Sequence, residues 1–189
     1  MTTMTMRSIP WRWIGWGGAA ALLALPAIAM RFTAEVNWTA SDFAVFGVML
    51  LMAGGVIELL MRRGRGFAYR LAAGITGVTA FLLVWVNLAV GIIGSEDDPG
   101  NFLFVAVFAT AFAGTTISRF RAAGMALTLL TTAAAQGAVA AIAVATGLGS
   151  YTQIWPRDII GGSVFFCLLW CLAAALFHAA AAHGQGPQA

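Results

Sequence analysis

The sequence predicts an all-α membrane protein: a polytopic bundle of six transmembrane helices with both termini in the cytoplasm. The chain of 189 residues is 61% hydrophobic and 9% charged, whereas a soluble domain is about 45–50% apolar and about 25% charged. Apolar runs long enough to cross a bilayer, about 20 helical residues each, recur six times. We place these spans, within a single domain, near residues 14–30, 42–61, 71–93, 102–118, 124–146 and 161–182.

The distribution of charge predicts the orientation of the spans. All ten basic residues are arginine, and arginine concentrates in cytoplasmic loops. The predicted cytoplasmic side carries eight of them: Arg7, Arg12, Arg62, Arg63, Arg65, Arg70, Arg119 and Arg121. The predicted outer side carries Arg31 and Arg157 together with Glu35, Asp42, Glu96, Asp97, Asp98 and Asp158. Arginines at span ends orient a membrane protein and do not follow a phosphate backbone, so we expect no nucleic acid partner.

The first span has two interpretations. Arg7 and Arg12 precede an apolar core that ends in Ala27-Ile28-Ala29, and this order resembles a secretory signal peptide with a small-residue cleavage site. Cleavage there would leave five spans. We retain six spans, with Pro26 as the expected site of a bend in the first.

The second span begins with a capping signal and ends near an acidic residue. Thr39 followed by Asp42 fits the arrangement in which side chains satisfy the first free amides of a helix. Glu58 lies well inside the span, where an ionisable residue is a candidate for a proton or cation role. The structural alternative is an ion pair with Arg62, four residues later on the same helix face.

The last part of the third span, from Leu82 up to the turn SEDDPGN (95–101), is apolar except for Asn87. An amide without a partner costs several kcal/mol in hydrocarbon, so Asn87 either bonds to a neighbouring helix or lines a polar pocket. Three carboxylates follow the span, and they are candidates for holding a cation: Glu96, Asp97 and Asp98. They lack the alternating ligand spacing of a calcium loop, and a solvated turn that Pro99 helps to form is the competing interpretation.

The fifth span predicts close helix packing. It consists mostly of alanine, glycine and threonine, and in lipid such small residues allow helices to approach closely. We therefore expect this span to be central, and we expect small-residue faces to contact a second copy or another membrane protein. Thr128, Thr132 and Gln136, spaced four residues apart, form one polar stripe along it.

The sixth span carries Cys167, Cys171 and His178 on one face. The eleven residues from first to last extend about 16 Å, so these side chains do not meet at one ion, and we predict no metal site. The chain has no lysine for a Schiff base or a phosphate loop, and it contains neither H-E-x-x-H nor G-x-S-x-G. The sequence therefore favours a protein without catalytic activity, and it identifies no cofactor.

Polar and aromatic residues near the predicted outer side indicate an outward-facing pocket for a small molecule or ion. Polar groups within a membrane are functional-site hypotheses by default. The predicted ligand-binding residues lie at the start of the second span or within the third and fifth spans: Asn37, Trp38, Asp42, Trp85, Asn87 and Gln136. The competing interpretation is that the amides only join helices to each other.

Two segments carry a resemblance to a known family. EVNWTASDF (35–43) and LLVWVNLAVGIIGSEDDPGN (82–101) resemble segments of small, uncharacterised inner-membrane proteins of proteobacteria. In that family an N-W-x3-D-F segment opens one span and a W-x-N-L-A-V-G-I-I-G-S-E-D segment closes the next. The resemblance implies a multi-pass protein of the bacterial inner membrane and brings no activity with it. It points to seven positions: Asn37, Trp38, Asp42, Trp85, Asn87, Glu96 and Asp97.

Three functions remain compatible with the sequence. The first is binding or transport of a small molecule or ion through the outward-facing pocket. The second is a non-catalytic accessory or scaffold subunit that packs against membrane partners through small-residue faces. The third is an intramembrane enzyme acting on a lipid or quinone, which would need at least two titratable groups beside an apolar groove. Membrane lipids are expected contacts of the protein in all three cases.

Overall fold

The computed structural model describes residues 11–64 and 66–184. In that part of the chain every regular element is helical, and six helical segments are long and apolar enough to cross a membrane. The α-helices are α1 (Trp11–Ala29), α2 (Ala40–Arg63), α3 (Phe67–Ala89), α4 (Phe104–Ser118), α5 (Ala122–Thr146) and α6 (Arg157–Ala182). A 3₁₀ helix, Pro99–Leu103, leads directly into α4. The predicted all-α class with six membrane-length helices is confirmed. Two of the arginines on which the predicted orientation rests, Arg7 and Arg65, lie outside the described residues.

The helix ends differ from the predicted spans in a systematic way. Five helices begin two to four residues earlier than predicted, because hydropathy measures the hydrocarbon thickness while a helix continues through polar residues whose amides are satisfied. The end of α3 shows the opposite difference, since it stops at Ala89 and not near Ile93. There the amides of Val90 and Gly91 both donate to the Val86 carbonyl at 3.0 Å. Gly91 has φ +76°, the left-handed conformation that ends a helix.

The chain divides into two compact units, and the first ends at Glu58. In it, α1 and α2 pack as an antiparallel pair in which glycines of α2 face large side chains of α1. A Cβ atom on Gly54 would lie 3.0 Å from the indole of Trp16, and one on Gly47 would lie 3.8 Å from Leu23. The glycines therefore allow the two helices to approach closely.

The start of α2 has the predicted cap. The backbone amide of Thr39 donates to Asp42 Oδ2 at 2.7 Å, and the amide of Asp42 donates to Thr39 Oγ1 at 3.4 Å. This reciprocal arrangement satisfies amides that the helix itself leaves free. Its position confirms that Asp42 is a capping residue of α2.

The second unit begins at Leu59 and contains α3 to α6. In it α5 packs against α4 and α6, and α6 also packs against α3, so the predicted central position of the fifth span is confirmed within this unit. The largest side chains of the core are almost fully buried: Tyr69, Phe104, Phe166, Trp170 and Phe177. The arginine end of the unit is defined by Arg63, Arg70, Arg119 and Arg121, and the acidic end by Glu96, Asp97, Asp98 and Asp158.

Tyr69 joins two elements at the arginine end. Its fully buried ring packs edge to face on Phe177 with 5.0 Å between centroids, and its hydroxyl donates to the Phe120 carbonyl at 2.7 Å. We expect Tyr69→Phe to lower the free energy of unfolding by about 1 kcal/mol, because the ring stays in place and one hydrogen bond is lost.

The measurement is thermal unfolding in detergent, with Tyr151→Phe as the matched control. The Tyr151 ring is 66% exposed and its hydroxyl donates to Asp98 Oδ2 at 2.9 Å, so its loss should have the smaller effect. A larger effect of Tyr151→Phe would show that the buried bond of Tyr69 does not stabilise the fold.

Candidate functional site

The interior of the second unit contains two kinds of polar side chain. Four buried threonines donate to a carbonyl one turn earlier on their own helix: Thr76, Thr79, Thr128 and Thr132. These hydroxyls need no other donor or acceptor. The other kind consists of side chains with a buried polar atom that has no hydrogen-bond partner among the described residues: Asn87, Gln136, Ser163 and Trp170.

Gln136 is the most isolated of the buried polar groups. Its side chain is fully buried, and neither Nε2 nor Oε1 has a partner in the described part of the chain. It follows Thr132 by four residues on the buried face of α5, which places it on the predicted polar stripe. An unpartnered amide in an apolar interior costs about 1–3 kcal/mol, so this position is not optimised for stability alone.

Ser163 and Gln136 lie at nearly the same level along the axes of α6 and α5. The thiol of Cys167 donates to the Ala133 carbonyl at 3.3 Å, and this contact fixes the register of the antiparallel helices α5 and α6. From it, Gln136 is three residues and Ser163 four residues toward the acidic end, or about 4.5 and 6 Å at 1.5 Å per residue. The unpartnered amide and hydroxyl are therefore at nearly the same level.

Trp170 carries a further unpartnered polar atom, nearer the arginine end. It follows Ser163 by seven residues, two turns on the same buried face of α6, so it is about 10 Å further along the axis. Its side chain is 1% exposed, and the indole Nε1 has no acceptor among the described residues. A buried indole normally finds a partner for its N–H.

Asn87 carries an unpartnered polar atom nearer the acidic end. Its Nδ2 donates to the Leu83 carbonyl of its own helix at 2.7 Å, while its buried Oδ1 has no donor among the described residues. Counting from the contact between Tyr69 and Phe177, Asn87 is about 27 Å along α3 and Ser163 about 21 Å along α6. Asn87 therefore lies about one turn nearer the acidic end.

We call these four residues, which are spread along the length of the second unit, the polar column: Asn87, Gln136, Ser163 and Trp170. It offers amide donors and acceptors, one hydroxyl and one indole N–H, and none of the four side chains titrates near neutral pH. Chemically it suits a neutral solute with both donors and acceptors better than a proton or a bare cation. Sequence reasoning singled out Asn87 and Gln136 as ligand residues but missed Ser163, although its spacing of four from Cys167 and seven from Trp170 was a visible signal.

The other predicted ligand residues are placed differently. Trp85 is half-buried on α3, two residues before Asn87, and side chains two apart on a helix do not face each other. Asn37, Trp38 and Asp42 belong to the first unit. There Asn37 is exposed, and the Trp38 ring packs edge to face on Phe46 with 5.4 Å between centroids. Their part in a ligand pocket stays a prediction.

Glu58 makes structural contacts with α1. Its Oε1 lies 2.7 Å from Nη2 of Arg12, and its Oε2 accepts a hydrogen bond from Trp16 Nε1 at 3.1 Å. The carboxylate side chain is 12% exposed and the guanidinium side chain 53%. Helical spacing could name only a local partner, Arg62, and it missed these two partners from α1 because tertiary packing supplies them. The proton or cation role of Glu58 stays a prediction.

One carboxylate of the acidic turn, that of Asp98, makes structural hydrogen bonds. Asp98 Oδ1 accepts from the Gly100 amide at 2.7 Å, which caps the 3₁₀ helix, and Oδ2 accepts from the hydroxyl of Tyr151. Glu96 and Asp97 are exposed. Within residues 11–64 and 66–184, no group of three or more His, Cys, Asp or Glu side chains is placed to hold a metal ion. The cation role of the turn stays a prediction.

Comparison of the chain with protein-family models, with curated proteins and with solved structures finds no match. The fold and site therefore define only a class, that of helical proteins with six membrane-length segments and an uncharged polar column inside the second unit.

Proposed function

We propose that the chain is a multi-pass protein of the bacterial inner membrane, with both termini in the cytoplasm, that binds or transports a small neutral molecule through the second unit. The distribution of arginine supports the orientation, and the resemblance of segments 35–43 and 82–101 to proteobacterial inner-membrane proteins supports the location. Membership of that family is part of the proposal.

The fully buried amide of Gln136 is the observation that carries the binding role. Both of its polar atoms are unpartnered among the described residues, and three more residues of the second unit carry buried unpartnered polar atoms. Since polar groups inside a membrane protein are functional-site candidates by default, we take the column as a set of hydrogen-bonding atoms for a solute. Its lack of charge favours a neutral solute over an ion.

The test is native mass spectrometry of the protein released from lipid nanodiscs, comparing the wild type with Gln136→Leu. We expect a discrete small-molecule adduct on the wild type that disappears in the variant. We also expect the variant to be at least as stable to heat, because an apolar side chain of similar shape removes an unsatisfied buried amide. Loss of the adduct with retained stability would separate binding from folding.

Thr132→Val is the matched control. Thr132 is one turn away on α5 and fully buried, but its hydroxyl is already bonded to the Thr128 carbonyl. We expect it to keep the adduct. An adduct that persists in Gln136→Leu, or that disappears equally in both variants, would contradict a binding role of Gln136.

A second candidate function is that of an accessory subunit. On α5 four alanines at spacings of four, three and four residues are exposed on one face: Ala134, Ala138, Ala141 and Ala145. Such a face allows another helix to approach closely in lipid. A wild-type protein that carries no small-molecule adduct but retains a stoichiometric second polypeptide would favour this function.

A further inference from the structure

A long groove opens between α3 and α6 in the second unit. It has a volume of about 530 Å³ and runs from the arginine end along α3 to Leu82, past the middle of the helix. Its walls are apolar except for two side chains, and the hydroxyl of one of these, Thr79, is bonded to the Ile75 carbonyl. The other is the guanidinium of Arg70, which is exposed. The groove is thus apolar, with one positive charge at its end.

The groove is long enough to hold an acyl chain across one leaflet of a bilayer. The wall formed by α3 extends from Phe67 to Leu82, which is about 22 Å at 1.5 Å per residue. The hydrocarbon core of a bilayer is about 30 Å thick, so one leaflet contributes about 15 Å. An acyl chain that enters along α3 therefore finds apolar contacts over its length while its headgroup stays at the arginine end.

The charge at the arginine end is unbalanced within the unit. From Leu59 to Ser95 and from Pro99 to Arg157 the sequence contains no acidic residue, so the acids of this unit are all at its other end. The guanidinium of Arg63 lies over the Phe120 ring at 5.0 Å, which leaves its charge in place. No described acidic side chain forms an ion pair with Arg70. An anionic headgroup would supply the missing counter-charge.

We propose that this groove binds an anionic phospholipid of the surrounding membrane. One acyl chain lies between α3 and α6, along Gly74, Val78 and Leu82, and the phosphate pairs with Arg70. Basic pockets between helices bind anionic headgroups on the same physical grounds. The site shares no residue with the polar column, so it does not rest on the proposed solute.

The experiment measures retained lipid by native mass spectrometry after reconstitution with equal amounts of phosphatidylglycerol and phosphatidylcholine of the same acyl chains. We expect the wild type to retain phosphatidylglycerol preferentially. Arg70→Gln should lower its retention about fivefold, the effect of one basic side chain near an anionic lipid surface. Gly74→Leu should lower retention of both lipids because it fills the groove, although the position tolerates a Cβ, which would meet only Met61 at 3.8 Å.

Two control variants make the same chemical changes away from the groove. Arg121→Gln removes an exposed charge at the arginine end, and Gly137→Leu adds a side chain on α5 where a Cβ meets nothing within 4 Å. Both should retain lipid like the wild type. The proposal is wrong if Arg70→Gln and Arg121→Gln lower retention equally, because the charge then acts diffusely, and it is also wrong if neither variant lowers retention, because Arg70 then does not bind the lipid. Should Gly74→Leu fail to fold, the arginine pair alone still decides.

Discussion

Replacing Gly114 with valine is expected to lower the free energy of unfolding by about 3 kcal/mol, because α4 and α5 are too close there for a side chain. A Cβ atom at this position would lie 2.5 Å from Thr128 Cγ2 and 3.0 Å from Thr128 Cβ. Thr128 is 5% exposed, and its hydroxyl is held by the Gly124 carbonyl at 2.9 Å. A β-branched side chain opposite such a fixed neighbour forces the two helices apart. The measurement is thermal unfolding of the protein in detergent.

A double-mutant cycle and a glycine control make this test specific. Thr128→Ala should restore part of the stability lost in Gly114→Val, since residues in direct contact do not behave additively. Gly137→Val, on an open surface of α5, should change the free energy of unfolding by the roughly 1 kcal/mol or less that is usual for surface positions. If Gly114→Val were as stable as Gly137→Val, the two helices would not be in contact at Gly114.

The number and class of the helices could be predicted because they follow from quantities that a sequence carries by itself. An apolar run of about 20 residues leaves its backbone no partner but itself in hydrocarbon, so it becomes a helix. The predicted end of α3 was wrong by four residues. The true end depends on Gly91 and on hydrogen bonds from side chains further along the chain. Hydropathy does not distinguish Val90, which follows the helix, from Val86, which is in it.

The site could be predicted only in part, and for a similar reason. The stripe of Thr128, Thr132 and Gln136 was visible from spacing, but spacing treats its members alike. In the structure the threonine hydroxyls bond to their own helix, while the glutamine amide does not. Which buried polar atoms remain unpartnered depends on the register of α5 against α6, and the contact of Cys167 that fixes this register was not predicted.

Replacing Asn101 with leucine is expected to lower the free energy of unfolding by about 3–5 kcal/mol, because one amide holds the loop between α3 and the 3₁₀ helix. Its Oδ1 accepts from the backbone amides of Ile92 and Ile93 at 3.0 Å each. Its Nδ2 donates to the carbonyls of Ile93 at 3.1 Å and Ser95 at 2.7 Å. Both isoleucines are at most 3% exposed, so their amides would lose their partner where water does not replace it, at about 1–3 kcal/mol for each group.

Hydrogen exchange at Ile92 and Ile93, together with thermal unfolding, tests this role of Asn101. Asn101→Leu removes all four contacts, so we expect fast exchange of the two amides, whereas Asn101→Asp keeps an acceptor for them but turns a carboxylate oxygen toward the carbonyls of Ile93 and Ser95 and should also lower stability. Phe102→Leu, at the next position, changes a side chain that is 77% exposed and should leave both readouts unchanged. Exchange as slow as in the wild type in Asn101→Leu would mean that the side-chain carbonyl does not hold the two amides. In that case the left-handed glycines Gly91 and Gly94, with φ +76° and +72°, would have to determine the course of the loop instead.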